Sequence, residues 1–297
     1  YPQEYDSFDQ WAAWLSAPCP FLGYAILLFF VISGFCIHYP NVEGQSMPWK
    51  RYLARRILRI YPPYLCAVLF TAVVAWCCHH WWGDKTWDVT RMVRTATLTQ
   101  NYPPEPGQFL SNPALWTIPV EMEFYLFYPL VFWAWTRFGS IVVGLAAVVL
   151  AGGGLALAQN DPAWAWLTFT SVLFWIFWLS GAWYANQYRR GEVGRLGAGG
   201  AVSAIVLLGM AIWTYFEYRY HPSALSSGIQ YFLWGGFYFI VFRAMTGRGA
   251  PYLRKGFLGS LSRGAAWLGK ISFSLYLIHF PFFKLCGFLY RHYIGEK

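Results

Sequence analysis

The chain has 297 residues, a net charge of +9 and an unusually apolar composition. Hydrophobic residues make up 57% of it and charged residues 12%, whereas about a quarter of the residues of an ordinary soluble domain are charged. Uncharged stretches of about 20 residues, the length that crosses a bilayer as a helix, recur along the chain. These stretches disfavour a soluble fold. The basic residues form no run apart from them, which disfavours a nucleic-acid partner.

Hydropathy predicts an all-α, polytopic bundle of eight membrane helices. Residues 1–297 are predicted to form a single membrane domain, because no internal repeat or linker divides them. The six cysteines have no zinc-ligand or disulfide spacing, so no metal site is expected. The predicted spans are 20–38, 61–81, 117–135, 139–158, 163–187, 198–217, 225–246 and 266–289.

Charge asymmetry predicts how these helices cross the membrane. The connections 39–60, 136–138, 188–197 and 243–270 carry 15 of the 22 Lys and Arg residues. Such an excess marks cytoplasmic connections, so both chain ends and the connection 82–116 are predicted to be external. Within that connection, VTRMVRTATL is predicted to form a short amphipathic helix along the membrane interface.

A group of four arginines precedes the second span. Arg51, Arg55 and Arg59 recur every four residues, so on a helix they form one stripe with Arg56 beside it. Guanidinium groups bind phosphate oxygens bidentately, which suits a ligand that carries a diphosphate. The alternative is that these side chains anchor the helix at the membrane surface and fix its topology.

Two glutamates lie within the apolar span 117–135, where a carboxylate costs about 2.5 kcal/mol or more. Residues two apart on a helix point about 200° apart, so Glu121 and Glu123 cannot face one small site. One of the two is expected to face the interior, where a carboxylate can hold a substrate hydroxyl or orient a histidine. The other can lie near the external interface, and Thr117 is a further hydroxyl in this span.

Histidine and small residues mark two other spans. His279 shares a helix face with Ser272 and Tyr276, which favours a functional role over that of a satisfied structural histidine. His38, at the cytoplasmic end of the first span, is expected to reach water. In the same span, Ser33 and Gly34 are expected to let two helices approach closely.

Four segments together resemble the acyltransferase 3 family of membrane O-acyltransferases. They are LLFFVISGFCI (27–37), RYLARRILRIYPPYL (51–65), ALWTIPVEMEFYLFYPL (114–130) and GKISFSLYLIHFP (269–281), in the family's order. The resemblance implies transfer of an acyl group, most simply acetyl, from cytoplasmic acyl-coenzyme A to a hydroxyl of a cell-surface glycan, in a bacterial-type inner membrane. It implies that the donor is held by Arg51, Arg55, Arg56 and Arg59, and that the catalytic residues are Glu121 and His279. Since Glu121 matches the Glu of the family's LW(S/T)-x-x-x-E motif, the resemblance also predicts that Glu121 faces the interior and leaves Glu123 near the external interface.

The sequence departs from the family's pattern in two places. The family's first helix carries an Arg, ten residues and a His thought to act in catalysis, and this sequence has no such element. The resemblance therefore predicts that the chain corresponds to the central eight of about ten helices, without the first and the last. Pro119 also stands where the family more often has Ser.

Two alternatives of other classes stay open at this point. A transporter or flippase of lipid-linked sugars also suits intramembrane carboxylates and aromatic helices, although no inverted repeat is found. A non-catalytic membrane scaffold is the other, but it gives the costly intramembrane glutamates no purpose.

Overall fold

The computed structural model describes much of the chain, and within that part it contains helices and no strands. This confirms the all-α prediction. Residues 1–18, part of the chain end predicted to be external, lie outside the described residues. So do residues 248–255 of the predicted cytoplasmic connection 243–270. At 19–20, 256–268 and 270, the helix is described without its side chains. The described residues are 19–42, 48–104, 106–109, 111–194, 196–218, 220–221, 223–247 and 256–295.

Seven helices in the described part of the chain are long and apolar enough to cross a membrane, so the protein is an integral, multi-pass membrane protein. A short turn, Cys19–Leu22, and a 3-10 turn, Gly23–Ala25, lead into the first long helix. In chain order the helices are α1 (Ile26–His38), α2 (Trp49–Trp82), α3 (Val89–Ala96), α4 (Thr117–Phe138), α5 (Ser140–Asn160), α6 (Ser171–Arg189), α7 (Ala198–Tyr218), α8 (Ala224–Thr246) and α9 (Gly256–Tyr293).

The predicted span 117–135 is present as α4, but α4 is not one of the seven apolar helices. Its 22 residues give a length of about 33 Å, which is enough to cross the hydrocarbon core. The helix contains Glu121, Glu123 and an internal Pro129, which lower its hydropathy. Of the eight predicted spans, the one whose helix is not among the seven is therefore the one that carries the predicted catalytic carboxylate.

Helix α2 is longer than the span 61–81 predicted for it. It is continuous from Trp49, so the arginine stripe is on the same helix as the apolar segment. Its 34 residues give about 51 Å, against about 30 Å of hydrocarbon. Gly83 ends the helix in a left-handed conformation, φ 67°, which glycine adopts without strain.

The predicted span 163–187 is divided in two. A 3-10 segment, Pro162–Phe169, precedes α6, and the two meet at Thr170, which is extended with φ −118° and ψ 168°. The Ser171 amide at the start of α6 donates to the Glu123 carboxylate, at 2.8 Å. A carboxylate is favourable at this end of a helix, so Glu123 fixes where α6 begins.

The chain divides into two compact units, each built from two sequence segments. The first unit comprises Tyr1–Pro40 and Phe177–Gly247, and the second comprises Asn41–Ile176 and Arg248–Lys297. The prediction of one membrane domain over 1–297 stays a prediction.

Glycines permit very close helix packing in the first unit. A Cβ atom on Gly34 would lie 1.9 Å from the carbonyl oxygen of Trp178, and one on Gly181 would lie 1.9 Å from that of Val31. No side chain fits either position without moving the facing backbone. This confirms the expectation that Gly34 lets two helices approach closely.

A buried histidine of the first unit is paired with a polar side chain of a neighbouring helix. His38 is 2% exposed, and its Nε2 lies 3.1 Å from Asn186 Nδ2. The expectation that His38 reaches water is therefore wrong, because a neighbouring helix covers it and supplies its hydrogen bond.

Candidate active site

In the second unit, the arginine-bearing part of α2 packs against the first half of α4. Each step forward along α2 matches a step backward along α4, so the two helices are antiparallel there. The facing side chains are polar or aromatic and form a row along the contact. The pairs are Tyr52 with Tyr128, Arg56 with Tyr125, and Arg59 with Glu121.

The four predicted donor-binding arginines have two different environments. Arg56 is half-buried, and its guanidinium carbon lies 5.6 Å from the ring centroid of Tyr52 and 5.7 Å from that of Tyr125. These are cation–π distances. Arg56 therefore belongs to the row between α2 and α4, and the other three arginines are exposed: Arg51, Arg55 and Arg59.

Glu121 is buried, with 3% of its surface exposed, which confirms that it faces the interior. Tyr125, one turn further along α4, donates its hydroxyl to Glu121 Oε1. The other carboxylate oxygen, Oε2, has no hydrogen-bond partner among the described residues. A buried acceptor without a partner costs about 1–3 kcal/mol or more, so a ligand or a water is needed to offset that cost.

Glu123 faces away from Glu121 and has its own partners. Tyr102 donates its hydroxyl to Glu123 Oε1 at 2.5 Å, and Ser171 donates its amide to Oε2 at 2.8 Å. Burial, and then the Glu123 charge, raise the pKa of Tyr102, so its hydroxyl keeps the proton that it donates. Both oxygens of Glu123 are therefore used in holding the fold.

Tyr276 and His279 of α9 lie beside the start of α4. The Tyr276 hydroxyl is 2.8 Å from Thr117 Oγ1, and the His279 Nδ1 is 2.7 Å from the Tyr276 carbonyl oxygen. A carbonyl oxygen accepts only, so Nδ1 carries a proton and Nε2 is the ring nitrogen left for a second partner. Ser272, expected on the same face, is exposed and bonded to the backbone of its own helix at 2.9 Å.

The predicted groups of α2, α4 and α9 lie near one another in the second unit. Arg59 and Arg56 are close enough for their charges to act on the Glu121 carboxyl group. On its other side, Glu121 acts electrostatically on Tyr276, and His279 lies one turn beyond Tyr276. The arginines and the carboxylate therefore form one neighbourhood.

The connection between α2 and α4 folds back along α2. Tyr64 donates its hydroxyl to the Thr95 carbonyl at 2.6 Å, and Asn112 donates its amide to Thr71 Oγ1 at 3.2 Å. Counted back from Trp82 at about 1.5 Å per residue, Thr71 and Tyr64 lie about 16 Å and about 27 Å down the helix. The connection thus lies beside the predicted membrane span, which modifies the prediction of a wholly external loop.

Irregular backbone at this depth has to be buried in protein or line a water-filled cavity. Helix α3 forms within the connection as predicted, and Asp88 caps it by accepting from the Arg91 amide at 3.0 Å. The acceptor oxygens Gln100 Oε1 and Asn112 Oδ1 lack hydrogen-bond partners among the described residues. Four polar side chains are at most 2% exposed: Gln100, Asn101, Ser111 and Asn112.

A charged pair lies at the start of the connection, directly after α2. Lys284 of α9 donates to Asp84 Oδ2 at 2.5 Å and to Ser111 Oγ at 3.1 Å, and it also contacts Thr86. Burial disfavours the charge on Asp84, but hydrogen bonds from Lys284 and Thr86 outweigh it and hold the pKa of Asp84 below its ordinary value. The cluster joins α9 to the end of α2.

The site includes residues that the sequence reasoning missed. Tyr52 and Tyr125 stand four residues from Arg56 and Glu121, so helix spacing could have paired them. Lys284 falls inside the predicted span 266–289, where a lysine calls for a partner as much as Glu121 does. In the described part of the chain, no three His, Cys, Asp or Glu side chains are grouped to hold a metal ion.

Comparison with known proteins gives one match. A family model described as an acyltransferase domain matches residues 2–296. No curated protein and no solved structure matches the chain. The matched range contains all the residues discussed above, from the arginines of α2 to His279 of α9.

Proposed function

We propose a specific reaction for this chain, which belongs to the acyltransferase 3 family and is a membrane acyltransferase. The donor is cytoplasmic acyl-coenzyme A, carrying acetyl, and the acceptor is a hydroxyl of a cell-surface or extracytoplasmic glycan. The membrane is a bacterial-type inner membrane, with the arginines of α2 on its cytoplasmic side.

The position of Glu121 carries this proposal. A buried carboxylate with one unpartnered oxygen lies between two arginines and a tyrosine–threonine pair. The arginines suit an anionic donor, and the unpartnered oxygen suits a ligand that can donate a hydrogen bond. An acceptor hydroxyl provides that donor, so both substrates have complementary groups in one neighbourhood.

The reaction needs one bond to form and one to break. The acceptor oxygen bonds to the thioester carbonyl carbon, and the carbon–sulfur bond breaks to release coenzyme A. In our proposal Glu121 Oε2 holds the hydroxyl and His279 Nε2 takes its proton, which then passes to the departing thiolate. For Glu121 this is the oxygen that has no hydrogen-bond partner among the described residues, and for His279 it is the nitrogen opposite the one that bonds the Tyr276 carbonyl.

The arginine stripe is proposed to hold the diphosphate of the donor. Its three exposed members present guanidinium groups along α2, from the start of the row at Tyr52 to the level of Glu121. Such groups bind phosphate oxygens bidentately. The alternative role, anchoring α2 at the membrane surface, needs only charge at that surface. It does not account for the row of polar and aromatic residues between α2 and α4.

Acetyl-coenzyme A labelled in the acetyl group tests the proposal. Membranes that contain the protein are incubated with it, and label is expected in polysaccharide or glycolipid. The matched variant is Glu121→Gln, which keeps the size of the side chain and should abolish most of the labelling. Movement of a lipid-linked sugar across the membrane without labelling would contradict acyl transfer and support the transporter alternative.

A further inference from the structure

The hydroxyl of Tyr52 is another buried polar group whose hydrogen bonding the fold leaves incomplete. Tyr52 is 5% exposed, and its hydroxyl has no hydrogen-bond partner among the described residues. Tyr52 is not one of the predicted site residues, and the proposed chemistry at Glu121 and His279 does not use it. A phenolic hydroxyl can both donate and accept a hydrogen bond. Burying it without a partner costs free energy, which a ligand would offset.

The surroundings of Tyr52 indicate the kind of ligand. On α2 it lies between the exposed Arg51 and Arg55, and its ring packs 5.7 Å from the ring of Tyr128 on α4. Arg56 lies over the Tyr52 ring and is half-buried, so its long side chain can move and open the contact. The site is therefore aromatic-walled, lies beside Arg51 and Arg55 on the side of α2 that faces α4, and is about 10 Å along the helix from the level of Arg59 and Glu121.

We propose that the Tyr52 hydroxyl binds an amide of the pantetheine arm of the acyl donor, in a slot between α2 and α4 that Arg56 covers. This inference rests on the proposed function, because it assumes a coenzyme A thioester. The arm joins the diphosphate, at the stripe, to the thioester, at Glu121. Its amides each carry one donor and one acceptor, and either one satisfies the Tyr52 hydroxyl.

Two donors of different length separate this slot from the phosphate site. Acetyl-coenzyme A has the nucleotide and the arm, whereas S-acetylpantetheine has the arm without the phosphates. Binding of each to the purified, full chain is measured by calorimetry. Tyr52→Phe should weaken the binding of both donors by about threefold to tenfold, the value of one hydrogen bond. Arg55→Gln should weaken acetyl-coenzyme A and leave S-acetylpantetheine unchanged.

The melting temperature of the unliganded protein is a second measurement. If Tyr52 had a structural role, its replacement would lower the melting temperature. Since the Tyr52 hydroxyl has no internal partner among the described residues, Tyr52→Phe should leave the melting temperature unchanged or raise it slightly. Tyr61→Phe is the matched control, because the Tyr61 hydroxyl donates to the Ala96 carbonyl at 3.1 Å. That variant should lose stability and bind both donors normally.

The outcomes distinguish this inference from the proposed function. If the wild-type protein binds acetyl-coenzyme A and Tyr52→Phe binds both donors as tightly, the slot is refuted and the proposed function stands. A loss confined to acetyl-coenzyme A would place Tyr52 at the nucleotide and also refute the slot. Wild-type protein that is folded and binds neither donor would refute the proposed function and this inference together.

Discussion

Gln230 in the first unit and Glu121 in the second are both buried polar residues of long helices, yet they are paired differently. The Gln230 amide nitrogen donates to Thr214 at 2.5 Å and to the Ala211 carbonyl at 3.2 Å. Its oxygen accepts from the Trp234 indole at 3.2 Å. Glu121 has a partner for one oxygen and, among the described residues, none for the other.

The difference separates two uses of polarity inside a membrane protein. A polar group whose hydrogen bonds are complete holds helices together, as Gln230 holds α8 to α7. A polar group left incomplete costs stability, and it is retained when a ligand completes it. The same test assigns Glu123, which uses both oxygens, to the fold.

The largest expected effect, on the rate of acetyl transfer, comes from changing Glu121, whose hydrogen bonds are incomplete. Glu121→Gln should lower the rate of acetyl transfer by about a hundredfold or more, because it removes the charge that holds the acceptor hydroxyl. Its melting temperature in detergent should stay the same or rise, since a neutral amide is cheaper to bury than a carboxylate. A variant that transfers acetyl at the wild-type rate would contradict the role given to Glu121.

Next comes the close packing of the first unit. Gly34→Leu should lower stability by about 3 kcal/mol, since its Cβ meets the Trp178 backbone, which has no room to move. Gly152→Leu is the control, because a Cβ there meets nothing within 4 Å. Thermal unfolding of the two variants measures the difference. Equal melting temperatures would mean that the two helices can separate without cost.

Changing Gln230, whose hydrogen bonds are complete, should lower stability and leave the acetyl transfer rate unchanged, the reverse of the result expected for Glu121. Gln230→Leu should lower stability by about 2 kcal/mol, because the Trp234 indole N–H would lose its acceptor. The acetyl transfer rate per folded molecule should be unchanged. If Gln230→Leu abolished transfer while keeping its stability, completeness of hydrogen bonding would not distinguish structural from functional groups.

How much of this can be predicted from sequence differs between residues. The role of Gly34 follows from sequence because small residues in apolar helices have one main use. The burial of His38 does not, because it depends on Asn186, 148 residues away in the chain. The cost of a carboxylate in lipid marks both Glu121 and Glu123 from sequence, but only the family motif selects Glu121 for the interior.

The folded-back connection was beyond sequence reasoning for a physical reason. Its Pro, Gly and Asn content indicates irregular backbone, but such composition is the same in an external loop and in one buried beside α2. What distinguishes them is tertiary contact, such as that of Asn112 with the Leu277 carbonyl at 2.7 Å. Residue spacing gives no sign of that contact.

The smallest expected effect concerns a charged pair whose hydrogen bonds are complete, Asp84 with Lys284. Asp84→Asn should lower stability by about 1–2 kcal/mol near neutral pH, because Lys284 would lose its counter-ion and keep Ser111 and Thr86 as partners.

The pH dependence of that loss tests whether the charge of Asp84 is what stabilises the contact. The pKa of Asp84 is lower in the folded protein than in the unfolded chain, where it is about 3.9. Its contribution is therefore fully present above pH 4 to 5 and is lost as the pH falls through the lower, folded pKa. The gap between the melting temperatures of wild type and Asp84→Asn should be constant near neutrality and close as the pH falls below about 4. A gap that stays constant down to low pH would mean that Asp84 acts by its hydrogen bonds to Thr86 and by packing, with no role for its charge.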